Sequence, residues 1–154
     1  MITIITIIVT VIDICSKIVV TKYLDLGKSI SVIDNFMSLT YVRNTGAAWS
    51  MFDNNKFFVL IASAFIILGF IMYIAKNRPS NMTEKMAYGF ILGGALGNFI
   101  NRCVKGYVVD FIDVKIFNYD YPIFNLADVF IVMGVVIFII YTWRCSDGNN
   151  SRGR

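Results

Sequence analysis

The 154-residue chain has no histidine. That single absence removes Ser-His and Cys-His nucleophile pairs, histidine general bases and the common zinc-ligand sets together. Acid-base chemistry, if there is any, must come from carboxylates, lysine, tyrosine or cysteine. Cysteine is scarce as well. Cys15, Cys103 and Cys145 are odd in number and scattered, and two of them lie in or beside apolar segments, so they make no disulfide framework. Cys15 and Cys103 also lack any base to activate them. Charge is thin, 16% of residues against about 25% in a soluble domain. The net charge of +4 is modest, and no basic run interleaved with aromatics points to nucleic acid.

Apolar residues take the place of charge. They make up 57% of the chain, with a mean hydropathy of +0.68. Water gives no reason for that excess, so the sequence reads as one small integral membrane domain over residues 1–154, mainly α-helical. Four spans are expected, at about 2–20, 57–75, 85–103 and 126–143. The first has neither a basic leader nor a small-residue cleavage pattern, so it is expected to remain as a span rather than be removed as a signal peptide. Between the first two spans, short alternating apolar and β-branched pieces over 36–52 predict a small extramembrane β-cradle with a turn at Asn44 to Gly46. Trp49, Met51 and Phe52 suit the bilayer surface. The tail over 144–154 reads as disordered.

Four spans place both termini on one side. The connector after the second span and the C-terminal tail share that side, and each sets three Lys or Arg against one acid. The positive-inside rule puts that side in the cytoplasm. Asp110, at the exit of the third span, and Asp128, at the entry of the fourth, then return to one depth near the outer face.

Polar residues inside apolar segments mark where chemistry belongs. In the third span Gly89, Gly93 and Gly97 recur every four residues, which lets a neighbouring helix approach closely. Asn98 and Arg102 lie on the same stripe. In the first span Asp13 and Lys17 are four apart with the acid first, the better orientation for an ion pair. They serve either as a self-neutralising pair near the interface or as part of the site. Ser16 and Lys17 are adjacent on a helix and so do not face each other, which excludes a Ser-Lys dyad. Asp113, Lys115 and Asp120 read as solvated loop charges, and Cys145 as an inert juxtamembrane thiol. Two carboxylates held close share a proton, so one can activate water while the other protonates a scissile carbonyl. Asn98, Arg102 and Asn125 are placed to orient such a pair. Paired acids also serve proton- or cation-coupled carriers, and spacing alone leaves hydrolase and carrier both open.

Five stretches decide between them: Asp13-Ile14-Cys15-Ser16-Lys17, Val42-Arg43-Asn44-Thr45-Gly46-Ala47-Ala48-Trp49-Ser50, Gly93-Gly94-Ala95-Leu96-Gly97-Asn98 with Arg102, Gly106-Tyr107-Val108-Val109-Asp110-Phe111, and Phe124-Asn125-Leu126-Ala127-Asp128. In this order, with four spans between them, the chain resembles the lipoprotein signal peptidases (signal peptidase II) over essentially its whole length. The resemblance implies an aspartic endopeptidase of the bacterial cytoplasmic membrane that needs no cofactor or metal. It would cleave prolipoprotein signal peptides before a diacylglyceryl-modified cysteine and bind globomycin-type inhibitors. The implied catalytic pair is Asp110 and Asp128, and the implied substrate-site residues are Asp13, Lys17, Asn44, Gly46, Asn98, Arg102 and Asn125. All lie in one chain, so a monomer suffices. Two positions depart from the family pattern: Asn101 stands before Arg102 where the family usually has Asp, and Trp49 stands where Phe is commoner, a tolerable surface change.

Overall fold

A computed structural model describes residues 1–46, 56–117 and 119–150, with side chains as far as Cys145. Its elements are α1 (Ile2–Tyr23), β1 (Ser29–Ile33), β2 (Met37–Asn44), α2 (Lys56–Asn77), α3 (Met82–Lys105), β3 (Val108–Ile116), β4 (Tyr119–Asp120) and α4 (Leu126–Asn150). Three helices are long and apolar enough to cross a bilayer: Ile2–Tyr23, Lys56–Asn77 and Leu126–Cys145. Their outward faces carry Ile4, Ile8, Phe65, Ile66, Val132 and Ile139, all exposed. That is tolerable in lipid and costly in water.

The helix α3, at 24 residues, is long enough but not apolar enough to join those three. The reason lies in its position. It packs between α1 and α4, with α2 against it as well, so its inward positions carry small and polar residues rather than lipid-facing ones. The glycine stripe sets the spacing. A methyl group on Gly89 would lie 2.6 Å from Ile5, one on Gly93 would lie 2.6 Å from Val9, and one on Gly97 would overlap the Asp13 carboxylate. Three glycines thus face Ile5, Val9 and Asp13, four apart on α1, and Thr10 Oγ1 donates to the Gly93 carbonyl at 3.0 Å. Gly94, on the other flank, leaves room for the Ala127 backbone of α4.

The expected β-element is larger than the reading over 36–52. A four-stranded antiparallel sheet runs in the order β1-β2-β3-β4. It begins at Ser29 and takes in the segment after α3 that read only as a polar excursion. Asp113 and Lys115 alternate there with Ile112, Val114 and Ile116, the period of a half-buried strand. The hairpin between β1 and β2 turns through Asn35 at φ 57°, a conformation Asn accepts more readily than most residues. Tyr41, Val109, Phe111 and Ile112 form a buried cluster in the sheet, packed by Val20 of α1, by Leu24 just after it and by Leu126 and Val129 of α4. The sheet therefore sits on the helix ends where Asp110 and Asp128 stand. Trp49, Met51 and Phe52 lie outside the described residues. A further correction concerns the tail: α4 runs on to Asn150, so residues 144–150 are helical rather than disordered.

Candidate active site

Four elements bring the candidate residues together, and each placement has a local cause. The end of α3 turns sharply into β3 at Gly106, whose φ of 73° caps the helix and whose N–H reaches the Arg102 carbonyl. A left-handed residue is tolerated there because glycine has no side chain. The next strand delivers Asp110 after four residues. At the start of α4, the Asn125 Oδ1 accepts the N–H groups of Ala127 (2.8 Å) and Asp128 (3.3 Å), while Asp128 Oδ2 accepts the Asn125 N–H (3.1 Å). This is a reciprocal capping box with Asp at its fourth position. Helix capping fixes the Asp128 backbone and one carboxylate oxygen at once.

Asn98 joins the two acids. Its Oδ1 accepts from Lys17 Nζ (2.8 Å) and from Asn125 Nδ2 (3.1 Å), so its amide can point only one way. The Asn98 Nδ2 then donates to Asp128 Oδ1 at 2.9 Å. Asn125 Nδ2 also donates to Asp110 Oδ1 at 2.6 Å, and Asn44 Nδ2 donates to Asp110 Oδ2 at 2.9 Å. Each oxygen of each carboxylate therefore has an amide donor, and the two acids are linked through Asn98 and Asn125. Asp110 is 3% exposed. Burial pushes its carboxyl up to about 6, aided by the Asp128 charge, against the pull of the Asn125 and Asn44 amides and of Lys17.

Asp13 and Lys17 are fully buried. Lys17 Nζ lies 2.7 Å from Asp13 Oδ2, and Asp13 Oδ1 accepts the Ala127 N–H at 2.9 Å. Isolated buried charges are costly, and this pair is sustained by mutual contact plus further hydrogen bonds. Its partners are Asn98 and the α4 backbone, so it braces the site from behind. Arg102 Nη2 donates to the Gly46 carbonyl at 2.9 Å, and Gly46 N–H returns to Asn44 Oδ1 at 3.0 Å in the expected turn. The Arg102 Nε is buried and, among the described residues, has no hydrogen-bond partner.

Sequence reasoning missed three contributors. Asn101 stood out only as a departure, yet its Oδ1 accepts the Val109 N–H at 3.3 Å. The Ala127 backbone N–H on Asp13 has no sequence signal, because any residue but proline supplies it. The capping box did have one, in the spacing from Asn125 to Asp128. Other residues stay away from this cluster. Ser16 Oγ donates to the Asp13 carbonyl at 2.7 Å, Lys115 pairs with Asp120 at 3.2 Å on the exposed sheet end, and Asp113 accepts from Thr40 at 2.7 Å. Among the described residues no group of three His, Cys, Asp or Glu forms a metal-ligand set.

Two carboxylates of different surroundings, joined by neutral amides, form an arrangement able to hold one proton between them and pass it on. The comparisons with known proteins agree in one direction. The family model described as Signal peptidase (SPase) II matches residues 5–144. The chain is 40% identical over 151 residues to a lipoprotein signal peptidase of Anoxybacillus flavithermus (strain DSM 21510 / WK1), covering 94% of this chain and 90% of that one. Two solved chains described as a bacterial membrane enzyme, determined by the in meso method, share the fold. One has a TM-score of 0.86 at 35% identity over 96% of this chain and 90% of its own. The other has a TM-score of 0.82 at 36% identity over 92% and 91%. The chain belongs to the signal peptidase II family.

Proposed function

We propose that the chain is an intramembrane aspartic endopeptidase that removes the signal peptide from prolipoproteins, cleaving before the diacylglyceryl-modified cysteine. The observation that carries this reading is the link between Asp110 of β3 and Asp128 of α4 through the amides of Asn98 and Asn125. Family membership supplies the substrate class.

The dyad holds one proton. Its ionised member takes a proton from water, and the water oxygen bonds to the scissile carbonyl carbon. The protonated member gives its proton to the carbonyl oxygen. Collapse of the tetrahedral species returns a proton to the departing amide nitrogen and breaks the C–N bond. Asn44, Asn98 and Asn125 keep both carboxylates in place, so the geometry is prepared before substrate arrives. Arg102 and Gly46 line the outer side, where the Arg102 Nε is a donor for a substrate carbonyl. Asp13 and Lys17 act through Asn98 and α4.

In the bilayer α3 also spans, as the third of four in chain order, its polar stripe shielded by α1 and α4. Both termini face the cytoplasm, and the sheet with the dyad faces outward. The chain works as a monomer. Lipid anchors the substrate before and after cleavage, so chain burial, about 0.8 kcal/mol per CH₂, is largely neutral for the transfer, and selectivity comes from fit.

The test is a gel-shift assay of detergent-solubilised protein on a diacylglyceryl-modified precursor and on the same precursor without lipid, with EDTA present. Cleavage of the lipidated form alone is expected. Asp110→Asn and Asp128→Asn should abolish turnover and leave globomycin binding intact. Most of the activity surviving in either variant would refute the dyad. Folded protein that neither cleaves nor binds globomycin would turn the reading toward a proton- or cation-coupled carrier, tested by flux in liposomes.

A further inference from the structure

Three elements packed around Asp110 each fix it by one amide. Asn44 of β2 holds Oδ2 and Asn125 before α4 holds Oδ1. The third acts on the backbone: Asn101, on the last turns of α3 and 5% exposed, accepts the N–H of Val109, the residue before Asp110. Between Asn101 and Val109 the chain reverses through Gly106 at φ 73°. A reversal on a glycine has a soft hinge, because glycine has the widest choice of backbone angles. The hydrogen bond from Asn101 to Val109 closes that loop on the far side of the hinge. Its donor is fully buried at Val109, so no water substitutes for Asn101.

The chemical nature of Asn101 matters too. The charged groups facing Asp110 are Asp128 from α4, Lys17 with Asp13 from α1, and Arg102 from α3; the β2 contact is neutral Asn44. The ion pairs among the described residues are Lys17–Asp13 and Lys115–Asp120, and neither uses Arg102. A carboxylate at position 101 would add a further acid against the residue that precedes Asp110.

We infer that Asn101 is a positioning residue for Asp110: by taking the Val109 N–H it fixes where β3 leaves α3, and by being neutral it keeps a further carboxylate away from the dyad. This rests on the reading of Asp110 and Asp128 as the catalytic pair.

The test measures kcat and KM on the diacylglyceryl-modified precursor across pH for wild type, Asn101→Leu, Asn101→Ala and Asn101→Asp. Asn101→Leu keeps the volume and loses the acceptor. It should lower kcat about 10- to 100-fold, the scale of a 1 Å misplacement, with KM within about twofold and the pH profile unmoved. Asn101→Asp restores the acceptor. It should return kcat at its own optimum to within about threefold of wild type and move the profile to higher pH by about 1 unit, because a nearby negative charge makes the dyad hold its protons more tightly.

Unchanged kcat in Asn101→Leu overturns the inference, as does a loss that Asn101→Asp fails to recover at any pH. Recovery with an unmoved profile overturns the part concerning charge. If Asn101→Leu does not fold, as judged by globomycin binding, Asn101→Ala is read by the same criteria. Failure of both to fold beside a normal Asn101→Asp assigns Asn101 to stability alone and overturns positioning. The two readings separate cleanly. A wild type that cleaves nothing defeats the proposed function. A wild type that cleaves, with Asp110→Asn inactive and Asn101→Leu normal, defeats only this inference.

Discussion

The carboxyl of Asp110 should destabilise the fold at neutral pH, and the size of the effect follows from its surroundings. In the folded chain its pKa is raised from 3.8 to about 6, chiefly by burial. Below pH 3.8 the group is protonated in both the folded and unfolded states and costs nothing. Between the two values the unfolded chain releases the proton while the folded chain keeps it, so stability falls as pH rises. Above about pH 6 the loss is complete. At 1.36 kcal/mol per pH unit, a difference of about 2.2 units amounts to about 3 kcal/mol. The variant Asp110→Asn removes this titration. It also leaves an amide N–H₂ facing either the Asn44 or the Asn125 donor, a cost of about 1–3 kcal/mol, but that cost does not vary with pH. The comparison to make is therefore a slope. Unfolding of both proteins in one detergent from pH 3 to 7.5 should show the variant gaining about 3 kcal/mol on wild type as pH rises. At about 2–4 °C per kcal/mol for a chain of this size, that is about 6–12 °C in midpoint. A flat difference, or wild type gaining on the variant, would refute the reasoning.

Other substitutions test the supports. Lys17→Met leaves Asp13 buried without its cation and should cost about 3–5 kcal/mol, while the double variant Lys17→Met with Asp13→Leu should recover much of that in the same unfolding assay. Gly97→Ala pushes a methyl group into the Asp13 carboxylate and should cost about 1–3 kcal/mol together with activity. Gly69→Ala, where a methyl group meets nothing, should be as stable as wild type or slightly better, and equal losses in the two would show that helix approach is not the cause. Gly106→Ala forces a side chain into φ 73° and should cost about 1–2 kcal/mol, with kcat lowered beyond what the stability loss explains.

Much of this arrangement is legible in the order of residues. Long apolar runs must be helices in lipid, because every backbone group needs an internal partner there. The spacing of Gly89, Gly93 and Gly97 marks the face of α3 that receives another helix, and Asp13 four residues before Lys17 marks an ion pair. The strand that carries Asp110 was also written in the alternation from Ile112 to Ile116, but the charged residues in it read as a solvated loop when weighed by composition rather than by period. The extension of α4 to Asn150 is harder to read, since polar residues with a glycine among them signal a chain end.

Local sequence thus determined which segments are helical, which helix face is narrow, and which few polar groups an apolar chain retains. These depend on side chains within a turn or two of one another. Only the tertiary structure decided how those groups serve. Asn98 faces Lys17 across 81 positions and Asp128 across 30, and Asp13 receives the Ala127 N–H across 114. Contacts that distant depend on how closely α1, α3 and α4 approach and on the sheet that seals their ends. An amide's orientation is set by whichever donors it meets there, and no local pattern encodes those donors.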